Sequence, residues 1–180
     1  MGYTHYWTQR RAFTEAEWKL ILGEARRLVA KAARGRYYTG KEDAASQRDL
    51  LLDEQGFRHG FREAGAWRTF AHPEQPIPQP GEPILLAGPS GRGKPRLNQF
   101  LISLNGKPPH DYESFVLGKE PPTLFADRQG ADACTGGFCQ TEYRPYDAVV
   151  VSILHVARTV APDAIEVRSD GGDAAIRYLF

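Results

Sequence analysis

The sequence predicts an α+β fold: a mixed, mainly antiparallel sheet packed by two principal helices. Three observations carry that prediction. Two stretches have helical apolar spacing, near residues 14–35 and 145–161. Short β-prone runs lie around and between them, several bounded by Gly or Asn-Gly turns. At 180 residues and 41% hydrophobic, the chain is long and apolar enough for one domain and too short for two good cores.

The elements follow in order. Tyr3 to Trp7 is aromatic and alternating and reads as a strand. Thr14 with Glu17 three residues on makes a capping box, and Phe13 and Trp18 a hydrophobic staple. Trp18, Ile21, Leu22, Ala25, Leu28, Val29 and Ala32 recur at helical spacing, and Arg34-Gly35 ends the helix. A helix is expected over Glu42–Asp53, with glycines 56, 60 and 65 breaking the pattern after it. Five prolines between Pro73 and Pro83 predict an extended connector rather than a strand. Ile84–Ala87, Phe100–Leu104 and Glu113–Leu117 read as strands, with Asn105-Gly106 as a two-residue hairpin turn. Pro145 opens a helix that is apolar nearly all round to Ala161, and Pro162 stops it. Ile165–Arg168 is the last strand and Asp170-Gly171-Gly172 a turn. Residues 1–180 form a single domain in this reading, with insertions near 36–80 and 118–135.

Charge and composition exclude several function classes. The net charge is +1, which gives no footprint for nucleic acid. The basic residues lean to the N-terminal part: residues 1–72 carry 13 basic and 9 acidic side chains, the rest 10 and 13. A solvated helix face accounts for Arg26, Arg27, Lys31, Arg34 and Arg36. No apolar run reaches the ~20 residues of a membrane helix. The aromatic, polar start lacks a signal-peptide core, so a cytoplasmic protein is expected.

Gly88-Pro89-Ser90-Gly91-Arg92-Gly93-Lys94 matches the first part of a phosphate-binding loop and looks like the guanylate-kinase version. The next residue is Pro95, where Ser or Thr would hold Mg²⁺, and Pro95 disfavours a helix starting there. The stretch therefore reads as a glycine-rich loop between strands. Cys134 and Cys139 are two ligands with no nearby histidine, which does not make a zinc site. No metal and no cofactor are expected. His155, inside the apolar helix, reads as a core histidine.

Two candidate site clusters remain. Cys139, Thr141, Arg144 and Tyr146 lead into the second helix, whose N-terminus carries unpaired N–H groups and partial positive charge. Such a group can bind a phosphate or carboxylate, and the same field would lower the Cys139 pKa. The competing reading is local: Thr141 and Asp147 satisfy the backbone, and Cys139 is a small buried residue. Tyr3, His5 and Trp7 share one face of the first strand and form either a stacking wall for a ring or part of an aromatic core. His5 could act as general base toward Cys139; spacing assigns no acid partner, and Asp147 and Asp170 are the candidates.

Several segments also line up with a known set of proteins. They are Met1-Gly2-Tyr3-Thr4-His5-Tyr6-Trp7, Leu104-Asn105-Gly106, Glu113-Ser114-Phe115, Phe138-Cys139-Gln140-Thr141, Pro145-Tyr146-Asp147 and Val167-Arg168-Ser169-Asp170-Gly171. In that order they resemble a family of small bacteriophage, prophage and bacterial proteins. The family often has Lys where Gln140 stands, and an aromatic where Leu104 stands. The resemblance carries no reaction. It implies a phage-type accessory gene, concerned with host takeover or with blocking host defence, in some cases by binding nucleotide signals.

The expectation is a ligand-binding protein that takes a small phosphorylated or nucleotide-like molecule and sequesters a host-defence signal. Tyr3, His5 and Trp7 would stack; Thr141, Arg144, Tyr146 and Asp170 would supply polar contacts. One alternative is a phosphoester or glycosidic-bond hydrolase or transferase using His5 and Cys139. Another is an inhibitor of a host-defence protein, presenting segment 73–83 or the basic helix.

Overall fold

The computed structural model describes residues 3–34, 83–122, 136–142, 144–176 and 178, together with the backbone of three strands between residues 50 and 74. The expected α+β architecture is present, and every described strand pairing is antiparallel.

β1 (Thr4–Gln9) is the centre of a three-stranded sheet, flanked by β10 (Ile165–Ser169) and β9 (Gly136–Gln140). Its side chains alternate as β geometry requires. His5, Trp7 and Gln9 are buried, and Tyr6 and Thr8 are exposed. α1 (Glu15–Ala32) starts at the Thr14 cap, where both halves of the capping box form. Phe13 stacks on Trp18 at 5.8 Å between ring centroids, as a staple should. The helix ends at Ala33; Gly35 lies outside the described residues.

β7 (Leu101–Gly106) organises a second sheet with β5 (Leu86–Ala87), β6 (Arg96–Leu97) and β8 (Phe115–Gly118). A separate meander joins β2 (Leu50–Leu52), β3 (Arg58–Glu63) and β4 (Ala66–Glu74). It falls in the region expected to be inserted. α2 (Asp147–Val160) packs against α1 and β10 and is buried on most faces. Its valines, Ile153 and Leu154 join Trp7, Trp18, Leu104, Phe115 and Ile165 in one core. Among the described residues, no helix is long and apolar enough to cross a membrane.

Four expectations need correction. Leu50–Leu52 is strand, not the end of a helix over 42–53; the rest of that stretch lies outside the described residues. β4 runs through His72-Pro73-Glu74, so the first residues of the expected connector are strand; residues 75–82 are outside the described set. α2 begins at Asp147, two residues after Pro145. Asn105-Gly106 is not a turn. Both residues sit in β7 opposite Ala87 and Leu86. The buried Asn105 side chain accepts from the Gly106 and Tyr112 N–H groups at 2.7 and 3.1 Å and donates to the Tyr112 carbonyl at 3.0 Å. It clamps the chain that follows the strand instead of reversing it.

The glycine-rich loop behaves as Pro95 predicts. Gly88 N–H donates to the Gly93 carbonyl at 3.2 Å, and β6 follows where a phosphate loop would need a helix.

Candidate functional site

The first cluster forms where β1, β10 and the start of α2 meet. Strand register places His5 between Cys139 on β9 and Ser169 on β10. Its ring is fully buried beneath α2. Nε2 lies 2.6 Å from Asp147 Oδ1, and Nδ1 lies 3.0 Å from Ser169 Oγ. Asp147 is the first residue of α2, where the helix dipole favours a carboxylate. Its Oδ1 also accepts the Thr141 hydroxyl at 2.5 Å. Thr141 is held in turn by its N–H on the Tyr3 carbonyl. The Tyr3 ring meets His5 edge-on at 4.9 Å. Asp170 Oδ2 accepts the Thr4 N–H at 2.9 Å and closes the end of the strand.

So Tyr3, His5, Thr141 and Asp170 are brought to one place, joined by Asp147 and Ser169. The remaining predicted residues turn elsewhere. Trp7 is buried, packed on Phe115 at 5.3 Å and pressed against Gly137, where a Cβ would lie 2.4 Å from its ring. Tyr146 is wholly buried and donates its hydroxyl to the Glu113 carbonyl. Burial pushes its pKa up. Arg144 donates to the Pro109 carbonyl at 3.1 Å, sits over the Tyr112 ring and pairs with Glu142. The hydroxyl and the guanidinium expected to bind an anion are thus engaged by the chain's own groups. Asp147 supplies the negative charge that the helix N-terminus favours.

Cys139 departs from expectation. Its thiol is pushed up to about 12 by burial first, then by the Asp147 and Glu113 charges. The Asp147 carboxylate at the helix start acts on the thiol with the opposite sign to the expected helix field. Cys134 lies outside the described residues. His155 is half-buried, and its Nδ1 is 3.4 Å from the Ile176 carbonyl. Among the described residues, no group of three or more His, Cys, Asp or Glu side chains is placed to hold a metal.

The second site went unread in the sequence. A cleft of about 900 Å³ lies between the β1–β9 edge and the β7–β8 hairpin. Trp7, Gln9, Phe100, Val116, Lys119 and Phe138 are on its wall. Phe100 and Phe138 are large apolar side chains left 66% and 60% exposed, which is costly unless something covers them. Lys119 is ion-paired with Glu15 at the rim.

Gln9 is the buried polar residue of that wall, beside Glu15, Gln99, Ser114, Lys119 and Glu120. It is 0% exposed. Its Nε2 donates to the Gly118 and Lys119 carbonyls at 3.3 and 3.0 Å. Its Oε1 has no hydrogen-bond partner among the described residues. A buried acceptor left unmet costs about 1–3 kcal/mol. Period-two alternation from His5 and Trp7 puts Gln9 on the same inward face, and that was the available signal.

No protein-family model matches this chain, and no curated protein or solved structure matches it.

Proposed function

We propose that this protein binds a small nucleotide-like molecule, holding its base in the cleft between Phe100 and Phe138. The two exposed aromatic rings on the wall of a mostly apolar cleft carry the reading. A flat heterocycle would stack on them and cover apolar surface that is otherwise left in water. The volume suits a small-molecule site, and the balance of many apolar groups and few polar ones is typical of one. Lys119 is neutralised by Glu15, so the rim supplies no anion clamp, and a phosphate would extend into solvent. The resemblance to phage and prophage proteins supports a phage-type accessory role, in which capturing such a molecule removes a host-defence signal.

Two measurements test this. Small molecules released on denaturing the purified protein are identified by mass spectrometry. Adenosine, guanosine and their 5′-monophosphates are titrated by calorimetry. The expected outcome is saturable binding of a nucleoside, with the phosphate adding little, and recovery of the ligand unchanged. Failure of all four compounds to bind, with nothing heterocyclic released, removes the proposal.

A further inference from the structure

The geometry points to a ligand of two linked nucleotides, its first base in the cleft and its second on the open face of the three-stranded sheet. This rests on the cleft reading above and extends it. Tyr6 on β1 is paired in register with Phe138 on β9 and with Arg168 on β10. The three residues therefore form one row across the sheet. Strand alternation puts that row on the face turned away from His5 and Trp7, whose side is covered by α2 and the core. Tyr6 is 44% exposed beside the open Phe138 ring, and Arg168 is exposed at the end of the row.

Phe138 belongs to the cleft wall and Tyr6 does not. The row is thus a path out of the cleft and onto the sheet. Neighbouring strands lie about 4.8 Å apart, so Phe138 to Arg168 spans about 10 Å. A second base, joined to the first through a phosphodiester, has the Tyr6 ring as its nearest stacking surface. Aromatic rings side by side on adjacent strands suit successive bases of a single strand, because every base has a face to stack. The β9 residue opposite Thr8 is Gly136, so no bulky side chain on that strand stands beside the Phe138 ring.

The charge at the end of the row fits one phosphodiester. Glu166 accepts from Arg10 Nη2 at 2.7 Å, and from Arg168 Nε and Nη2 at 2.9 and 2.7 Å. Two guanidinium groups share one carboxylate, so the group keeps a single positive charge. Arg168 can turn to a phosphate while Arg10 still holds Glu166, and a guanidinium suits phosphate oxygens. The phosphate of a mononucleotide stays at the cleft mouth, on the near side of Tyr6, and gains nothing from this charge. Affinity for the longer ligand comes mainly from stacking, in keeping with a chain whose net charge is only +1.

Calorimetric titration of the full chain compares adenosine with the linear dinucleotide ApA, and guanosine with GpG. The dinucleotides should bind about tenfold tighter or more than the matching nucleosides, one base stacked on an aromatic ring being worth about that much. Tyr6→Thr, a strand-compatible change checked by a cooperative melt, should lose the gain and keep the nucleoside affinity. Tyr6→Phe should keep both, since the ring does the stacking. Raising salt about fivefold should weaken dinucleotide binding about threefold, the slope of one neutralised phosphate, and Arg168→Gln should flatten that dependence. Nucleoside binding with no gain for either dinucleotide overturns the inference and leaves the cleft reading standing, which decides the matter even if Tyr6→Thr does not fold. A gain that survives in folded Tyr6→Thr also overturns it. So does a dimer in solution that Tyr6→Thr dissolves, because a second copy would then cover the face. Failure of nucleosides and dinucleotides alike removes both readings.

Discussion

Replacing Gln9 with Met separates a side chain kept for a ligand from one kept for stability. Met has similar length, fills irregular space well and carries no strong acceptor. The substitution removes two hydrogen bonds from Nε2, at 3.3 and 3.0 Å, together worth about 1–2 kcal/mol net. The Lys119 carbonyl keeps the Phe13 N–H at 3.0 Å, so it is not orphaned. On the other side, the unmet Oε1 disappears, relieving about 1–3 kcal/mol. The opposing effects leave stability within about 1 kcal/mol of wild type, where a buried polar clamp would cost several. Nucleoside affinity should stay within about threefold of wild type, since the buried Oε1 presents no surface to the cleft. Urea unfolding midpoints and calorimetric titration of the same preparations give both numbers. A loss of about 3 kcal/mol would refute the reasoning and make Gln9 a structural brace, and a fall of about tenfold in affinity would show instead that its acceptor reaches the ligand.

Three further expectations concern the frame around the sites. Asn105→Ala removes the clamp on Gly106 and Tyr112 and should cost about 2–4 kcal/mol in urea unfolding; a loss of a few tenths would fit a solvent-facing turn instead. Glu17 is held down to about 2 by its hydrogen bonds to Arg11 and then to the Thr14 N–H, against an ordinary 4.5. Its contribution is therefore full above pH 4.5 and is lost as pH falls toward 2, and Glu17→Gln should flatten the acid limb of a melting-temperature profile. Cys139, raised from 9.0 to about 12, should resist iodoacetamide at pH 8 in the folded protein and react once unfolded, as read by mass mapping. Because the unfolded thiol ionises first, the same shift should lower stability as pH rises from 9 toward 12.

What was legible in the chain was what short range decides. Thr14 and Glu17 satisfy each other within one turn, so the start of α1 is written locally. The apolar run of α2 needs no partner to be recognised as buried, and the two helices with antiparallel strands follow from such signals. Asn105-Gly106 was misread because its turn propensity competes with strand pairing to Ala87 and Leu86, which is decided by residues far away in sequence. The alternation on β1 correctly put His5 and Trp7 on one face. It could not say that α2 and Phe115 would cover that face, and so it could not pick out Gln9, whose importance lies in an acceptor that the fold leaves unmet.

The start of α2 shows why a correct local reading can lead to the opposite chemistry. A helix N-terminus attracts negative charge from whichever source can reach it. If the source is outside the protein, Thr141 and Arg144 become an anion site. Here the source is Asp147, inside the chain and already hydrogen-bonded to Thr141, so Arg144 is released to Pro109 and Glu142. The same carboxylate adds to the burial that raises the neighbouring Cys139 thiol, and it lies 2.6 Å from His5 Nε2. Closing the site to a free anion and fixing the His5 ring are thus one event. An Asp147→Asn protein should not open a phosphate site, because the amide still fills the helix end. Phosphate binding gained by that variant, measured by calorimetry, would show that the carboxylate's charge alone had been keeping an anion out.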